Sequence, residues 1–515
     1  MLSKNYSELF NQAVKESEEI SNKNYTKQSE EIKQNEEEKV ENVTNYPIIT
    51  MQEEDIREEK KKLIKPIIDE AEETDIIERC KMLGWKPRYK TNGDMYPPNQ
   101  KELKVALIDY FLEYIENKGY KVTKDEDGSI YIFNGAYWIP LNIEDAFIVL
   151  KNFAIKIGIP PIQAKEEKFK KELYNQFYSE VESISIRRKN LINLLNGTFD
   201  IETMTLRDFD YRDFLTYQLP FAYDPSAVNE LWLKFLDEVL PNKDTQRTFQ
   251  EAVGSIFVRN IKIEKAIFLQ GSGHNGKSVA IDVIKGVLGK INVSHYSLSE
   301  LMEEHYRADL KDKLVNLSFE NDMKSIKSNI FKTLASGEPI GARQKYGKQF
   351  TLENYAKLMF AVNELKLKEL EATEGFFRRF LIIPFKVRIS EEKKDPELTK
   401  KILSNPAGVL NWIIEGAKRV LEQKKINISL ECSEELARFR IDNDSVALFI
   451  EENNYKKSDY LKTHLKFLFE QYSEWCIENG FRRVGSTEFS KRLVSLGFEK
   501  KRDTKGVFFY MRRES

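Results

Sequence analysis

The sequence predicts an α/β fold built around a parallel sheet. Three observations predict it. An apolar run, Ala266–Gln270 (AIFLQ), feeds a glycine-rich turn and then a helical pattern. Strand and helix patterns alternate across about residues 236–390. The chain has 515 residues, 41% hydrophobic and 32% charged, room for about three domains of roughly 100–200 residues each.

Composition excludes several classes. No run of about 18 apolar residues occurs, so no transmembrane helix is expected. The start, MLSKNYSELFNQ, lacks a signal-peptide core. Cys80, Cys432 and Cys476 are far apart and odd in number, which argues against a disulfide framework or zinc site. His274, His295, His305 and His464 form no ligand-spaced cluster. A reduced, cytoplasmic protein is expected. Lys plus Arg (81) nearly balance Asp plus Glu (83), so only the distribution of charge is informative.

Residues 1–60 carry 15 acidic and 8 basic residues, net −7, and few aromatics. Such a segment buries too little apolar area to offset its ordering entropy. Residues 1–95 are read as an acidic tail, disordered or loosely helical, with packed structure beginning between Leu63 and Lys101. Residues 96–235 read as one α/β module. An amphipathic helix starts near Lys101, a turn falls at Asp127-Gly128, and SIYIFNGAYWIPL reads as a hairpin with Asn134-Gly135 at its tip.

The third segment, 236–430, holds the chemistry. After AIFLQ comes Gly271-Ser272-Gly273-His274-Asn275-Gly276-Lys277-Ser278, which matches G-x-x-x-x-G-K-[ST] at every defined position. Gly271, Gly273 and Gly276 let backbone N–H groups curl around phosphate oxygens, with Asn275 in the same loop. The helix N-terminus adds partial positive charge. Lys277 reaches the β- and γ-phosphates and Ser278 ligates Mg²⁺. The cofactors implied are ATP and Mg²⁺. Downstream, KLVNLSF is a strand candidate capped by Glu320-Asn321-Asp322. Glu320 is the first candidate for the catalytic and metal-binding carboxylate, Asp322 the second. A helix is expected at 326–334, then a hairpin, IGARQ to QFTL, with Lys345, Tyr346, Gly347 and Lys348 at its tip. Lysines neutralise phosphate and Tyr346 can stack on a base. A strand at 358–362 precedes Asn363, which can orient water or sense phosphate. Arg378 and Arg379 precede a further apolar strand, where an arginine could stabilise charge at a neighbouring subunit's phosphate.

Residues 456–515 hold 14 basic and 8 acidic residues, net +6. A helix ending at Gly480, a second with Ser486 or Thr487 as cap and Gly497 as stop, then a basic hairpin make a winged-helix pattern over 440–515. Lys491 and Arg492 on the second helix, and Lys500, Lys501, Arg502 and Lys505 in the wing, could meet DNA phosphates.

GSGHNGKS, LVNLSFEND, LASGEPIGARQKYGKQF, AKLMFAVNEL and EGFFRRFLIIPF, in that order, resemble the superfamily 3 helicases, in particular the primase–helicase family of phages, plasmids and poxviruses. The resemblance is specific over about 190–390; INLLNGTFDIET resembles the family's helicase-associated N-terminal domain. It implies a hexameric AAA+ ring around DNA, with ATP hydrolysed between subunits. Lys277 and Ser278 would be Walker A, Glu320 Walker B and Asn363 sensor 1. The hairpin of Lys345 and Lys348 would enter the DNA channel, and Arg378 or Arg379 would be the arginine finger, Arg379 being favoured. Two departures stand out. Phe319 precedes Glu320 where many relatives have an acid, and no N-terminal primase domain is visible, so a separate primase polypeptide is an expected partner.

The leading expectation is therefore a self-loading replicative DNA helicase of a mobile genetic element, extending to origin binding; pathogenicity-island Rep-type initiators are one type of this kind. The alternative is an ATP-driven switch that melts an origin or remodels partners without processive unwinding. A scaffold with a degenerate ATPase is the third reading, opposed by the intact Gly276-Lys277-Ser278.

Overall fold

Two helices, α1 (Ile76–Met82) and α2 (Gln100–Asn117), open the fold of the computed structural model, with a small hairpin of β1 (Arg88–Tyr89) and β2 (Met95–Tyr96) between them. The structure describes residues 65–184, 189–320, 326–344, 349–353, 355–365, 374–481, 483–504 and 506–514; the side chains of Glu320 and Lys393 are also outside it. Asn99 starts α2 through a capping box with Glu102. Its apolar stripe packs Phe111 edge-on against Phe153 and Phe177, with ring centroids 4.9 and 5.8 Å apart. Those partners lie on α3 (Ile143–Lys156) and α4 (Glu167–Glu180). Between α2 and α3 runs the antiparallel sheet of β3 (Lys121–Lys124), β4 (Ile130–Phe133) and β5 (Trp138–Leu141). The expected hairpin is β4–β5, closed by Phe133 opposite Trp138; Asn134 Oδ1 accepts from the N–H groups of Ala136 and Tyr137.

Ile67, Ile68 and Ala71 are buried in the core of α2–α4, within the span where packed structure was expected to begin. The module expected over 96–235 contributes to two cores. Its later strands, β6 (Leu191–Leu194), β7 (Gly197–Asp200) and β8 (Thr205–Arg207), send Ile192, Leu194 and Phe199 into the core of the following segment. Three short strands lack the area for a core of their own and must borrow one.

That borrowed core is one face of the central sheet. Helices α5 (Glu230–Val239) and α6 (Lys243–Gly254) precede β9 (Ala266–Gln270), followed by α7 (Lys277–Leu288) and β10 (Val293–Ser294). A short α8 (Glu304–Ala308), β11 (Val315–Glu320) and α9 (Ser328–Ser336) lead to the expected hairpin, β12 (Ile340–Arg343) and β13 (Gln349–Leu352), with its tip, 345–348, outside the described residues. Then come β14 (Lys357–Val362) and β15 (Phe380–Pro384). The sheet is parallel throughout, in the order β10-β11-β14-β9-β15. Strands β9, β14 and β15 are largely apolar on both sides, as a sheet covered on two faces requires; β10 and β11 bury Ser294, Asn316 and Ser318 as well. On one face Phe268 stacks between Phe360 and Phe380, at 5.3 and 4.7 Å.

Helices α10 (Pro406–Gln423) and α11 (Leu430–Asp442) return across the core. The C-terminal part has its own apolar cluster. Its order is α12 (Ser445–Glu452), β16 (Tyr455–His464), α13 (Leu465–Glu478), α14 (Ser486–Ser495), β17 (Lys500–Asp503) and β18 (Gly506–Arg513), with sheet order β16-β18-β17. β16 was not expected. Lys462 and Thr463, read as helical, pair with Tyr510 and Phe509 of β18 instead, and the His464 ring accepts from Lys466 N–H to start α13.

Phe268→Ala should destabilise the chain by about 3–5 kcal/mol, the usual cost of emptying a packed aromatic site, read as a lower denaturation midpoint at unchanged m-value. A cost below about 1 kcal/mol would refute the close packing of this stack.

Candidate nucleotide site and nucleic-acid interface

Parallel pairing brings every strand end to one edge. Glu320 stands opposite Val362, Val362 opposite Gln270, and Gln270 opposite Pro384. The glycine-rich turn leaves from Gln270. Chain order reverses at β9, since β10, β11 and β14 lie on one side and β15 on the other. Such a reversal opens a crevice at the carboxyl ends of the strands, where ligands of open α/β sheets bind.

The turn is tightly held. Gly271 N–H donates to Val362 O at 3.1 Å, which sets the turn beside exposed Asn363. Asn275 is 3% exposed; its Nδ2 donates to Phe385 O at 2.8 Å and its Oδ1 accepts from Lys277 Nζ at 2.8 Å. Lys277 Nζ also donates to Gly271 O at 2.6 Å. Gly276 has φ +82°, and a Cβ there would lie 2.7 Å from Val239 Cγ1 on α5, so this position requires glycine. The N–H groups of Lys277, Ser278 and Val279 open α7, where no preceding helical carbonyl is available. Burial pulls the Lys277 ammonium down to about 8. Ser278, on that first turn, and the carboxylates of Glu320 and Asp322 are hard oxygen donors of the kind Mg²⁺ takes; the Glu320 side chain and Asp322 lie outside the described residues. Phe319 is 49% exposed at the end of the same row.

Sequence reasoning missed the segment after β15. Phe385 N–H donates to Gln270 O and Ile389 N–H to His274 O, both at 2.7 Å, so residues 385–389 run along the turn. Only pairing of β15 with β9 reveals this.

Arg378 and Arg379 immediately precede β15, at the opposite edge from the turn. Arg379 is 8% exposed; its Nε donates to Ser336 Oγ at 2.7 Å and it also donates to Gly375 O. Arg378 is 60% exposed at the side chain, with Glu264 at 3.8 Å. Arg379 is thus engaged inside the fold, and Arg378 is the more exposed of the two.

The root of the β12–β13 hairpin rests on α8. Arg307 donates to Gly341 O and Leu301 O, each at 3.0 Å, and His305 Nδ1 lies 3.1 Å from Arg343 O. Lys345, Tyr346 and Lys348 lie outside the described residues. In the C-terminal part, Lys491, Lys500, Lys501 and Arg502 are exposed, and Lys505 is outside the description. Arg492 is different. It donates to Asp444 Oδ1 at 3.1 Å and Glu488 Oε1 at 3.3 Å with its side chain 12% exposed, tying α14 to α12. Of the residues expected to meet DNA, Arg492 is therefore engaged by acids of the fold, whereas Lys491 beside it is exposed. Among the described residues, no group of three or more His, Cys, Asp or Glu could hold a metal, and no helix is long and apolar enough to cross a membrane.

The geometry thus defines an α/β protein with a parallel five-stranded sheet and a glycine-rich turn at the carboxyl edge of its strands. Comparison with known families gives three separate matches. Residues 84–241 match "D5 N terminal like", residues 269–379 a family of unknown function (DUF5906), and residues 441–513 "Poxvirus D5 protein-like". Curated relatives include "Putative helicase 121R" of Invertebrate iridescent virus 3, 25% identical over 398 residues, covering 69% of this chain and 40% of that protein. A protein of Acanthamoeba polyphaga mimivirus, also named a helicase, is 25% identical over 224 residues, covering 41% of this chain and 23% of its own. The chain thus spans two-fifths or less of the length of these relatives. The apo C-terminal region of NrS-1 is similar at TM-score 0.44 and 13% identity, over 78% of this chain and 99% of that one, too distant to carry a conclusion. The family matches and viral relatives support kinship with the primase–helicase, superfamily-3-like group.

The Lys277 shift has a sign that can be checked. Below about pH 8 the free protein already carries the charge that phosphate needs; above it, binding must take up a proton. Nucleotide affinity should fall about tenfold between pH 7 and pH 9, measured by calorimetry in buffers of different ionisation enthalpy, with proton uptake appearing only at the higher pH. A flat profile would refute the depressed lysine.

Proposed function

We propose that the protein is an ATP-dependent DNA helicase that replicates a mobile genetic element. The single observation behind this reading is the row Glu320–Val362–Gln270–Pro384, which sets the phosphate turn, Asn363 and the end of β11 together at the switch point of a parallel sheet. In this reading Lys277 leaves Asn275 and Gly271 O for the β- and γ-phosphates, and the glycine turn wraps them with N–H donors. Ser278 and Glu320 or Asp322 hold Mg²⁺, which neutralises developing phosphate charge. Asn363 orients the attacking water.

β15 is five residues long, and at about 3.3 Å each its two ends lie roughly 15 Å apart. Arg378 therefore serves a neighbouring copy's nucleotide, and the working form is a ring, taken as a hexamer. Lys345, Tyr346 and Lys348 contact DNA in its channel. The C-terminal helices and hairpin act as a winged helix on duplex DNA through Lys491, Lys500, Lys501 and Arg502, which supports self-loading and origin binding. A primase on another polypeptide, a cytoplasmic setting and the island-type initiators named above belong to the same reading. The second reading, a melting switch without processive unwinding, is favoured by the docking of the N-terminal module against the loop before β11. There Lys311 pairs with Asp125 at 2.8 Å and Tyr131 Oη donates to Asp312 at 3.0 Å.

Unwinding of a forked duplex by the purified chain, with ATP and Mg²⁺, tests the proposal. Wild type should separate the strands, and Lys277→Ala should lose hydrolysis and unwinding at unchanged melting temperature. Lys345→Ala should keep basal hydrolysis and lose DNA stimulation. Hydrolysis without strand separation by wild type selects the switch, and absence of hydrolysis sinks both. In a separate assay, Arg378→Ala mixed with Lys277→Ala should recover part of the lost hydrolysis, because mixed rings contain some intact interfaces. Recovery with Arg379→Ala but not with Arg378→Ala would return the finger to Arg379.

A further inference from the structure

The three-stranded sheet of the C-terminal part has two unlike faces. Phe509 and Met511 of β18 are fully buried in the core against α13 and α14. Side chains alternate along a strand, so Phe508, Tyr510 and Arg512 occupy the other face. Phe508 and Tyr510 are half-buried and take no part in that core. Residues directly opposite share a face. The pairs Lys462–Tyr510, His464–Phe508, Lys501–Phe508 and Lys456–Arg512 therefore stand together on the outer side. Lys462 Nζ lies 5.5 Å from the Tyr510 ring centre, and His464 meets the Phe508 ring edge-on at 4.8 Å. The register shift between Lys457 and Lys462 bulges edge strand β16 outward, leaving Tyr460 89% exposed beside this ladder. Among the described residues the acids on this face are Glu499, opposite Tyr510 and exposed, Asp503, at the end of β17, and Glu514, which pairs with Arg512 at 2.8 Å.

We propose that this outer face binds single-stranded DNA, with Phe508 and Tyr510 stacking successive bases and Lys456, Lys462 and Lys501 meeting the backbone. The two rings are two residues apart on one strand, about 7 Å, the arrangement by which sheet platforms stack neighbouring bases. Aromatic rings interleaved with lysines are the composition of sequence-tolerant single-strand sites. A duplex cannot use the rings, because its base faces are already stacked. The choice of DNA over RNA rests on the replication reading above; the face itself does not.

The test is fluorescence anisotropy of the full chain, without nucleotide, on oligo-dT, oligo-U and a blunt duplex. The Phe508→Ala/Tyr510→Ala double variant should lose about tenfold or more in oligo-dT affinity and keep duplex affinity and melting temperature. Tyr510→Phe should retain wild-type affinity, since stacking needs the ring and not the hydroxyl. Lys462→Ala with Lys501→Ala should flatten the salt dependence by about one unit of slope. Unchanged oligo-dT affinity in the double variant, an equal loss on duplex, or a preference for oligo-U would each overturn the proposal. A chain that loses only oligonucleotide affinity still unwinds or hydrolyses by the earlier assays, so the two readings fail separately.

Discussion

Parallel pairing of β9 with both β14 and β15 is the constraint on which the site depends. In a parallel sheet every strand finishes at the same edge, so the groups following β9, β11, β14 and β15 converge although they are distant in the chain. The same pairing places every strand start at the opposite edge. Arg378 therefore lies at the opposite edge of the sheet from the glycine-rich turn.

Tension between flexibility and closure is resolved locally in the turn. Glycines allow the backbone to curl, but three contacts stop it from collapsing: Gly271 N–H on Val362 O, Asn275 on Phe385 O, and Gly276 against α5. Asn275 has a second consequence. It holds Lys277 within the turn and out of water, and the loss of hydration lowers the lysine's affinity for its proton.

Buried charge elsewhere in the chain is structural. Arg379 is used up by Ser336 and Gly375, Arg307 by the hairpin root, and Arg492 by Asp444 and Glu488. Each is an arginine whose planar donors satisfy several oxygens at once. In the C-terminal module Lys491, Lys500 and Lys501 are exposed instead.

By itself the sequence determined the phosphate turn, the strand and helix around it, the β4–β5 and β12–β13 hairpins, and the two C-terminal helices. These are local: apolar period, glycine spacing and capping residues act within a dozen positions or so of one another. It did not determine where residues 189–220 pack, which of two adjacent arginines is more exposed, that Arg492 is engaged by Asp444 and Glu488, or that β16 completes a sheet with aromatics on its outer side. Those depend on which elements lie side by side. Burial and pairing are properties of neighbours that chain order does not specify, so an arginine in a helix reads the same whether it faces DNA or Asp444. Only the tertiary structure decides between them.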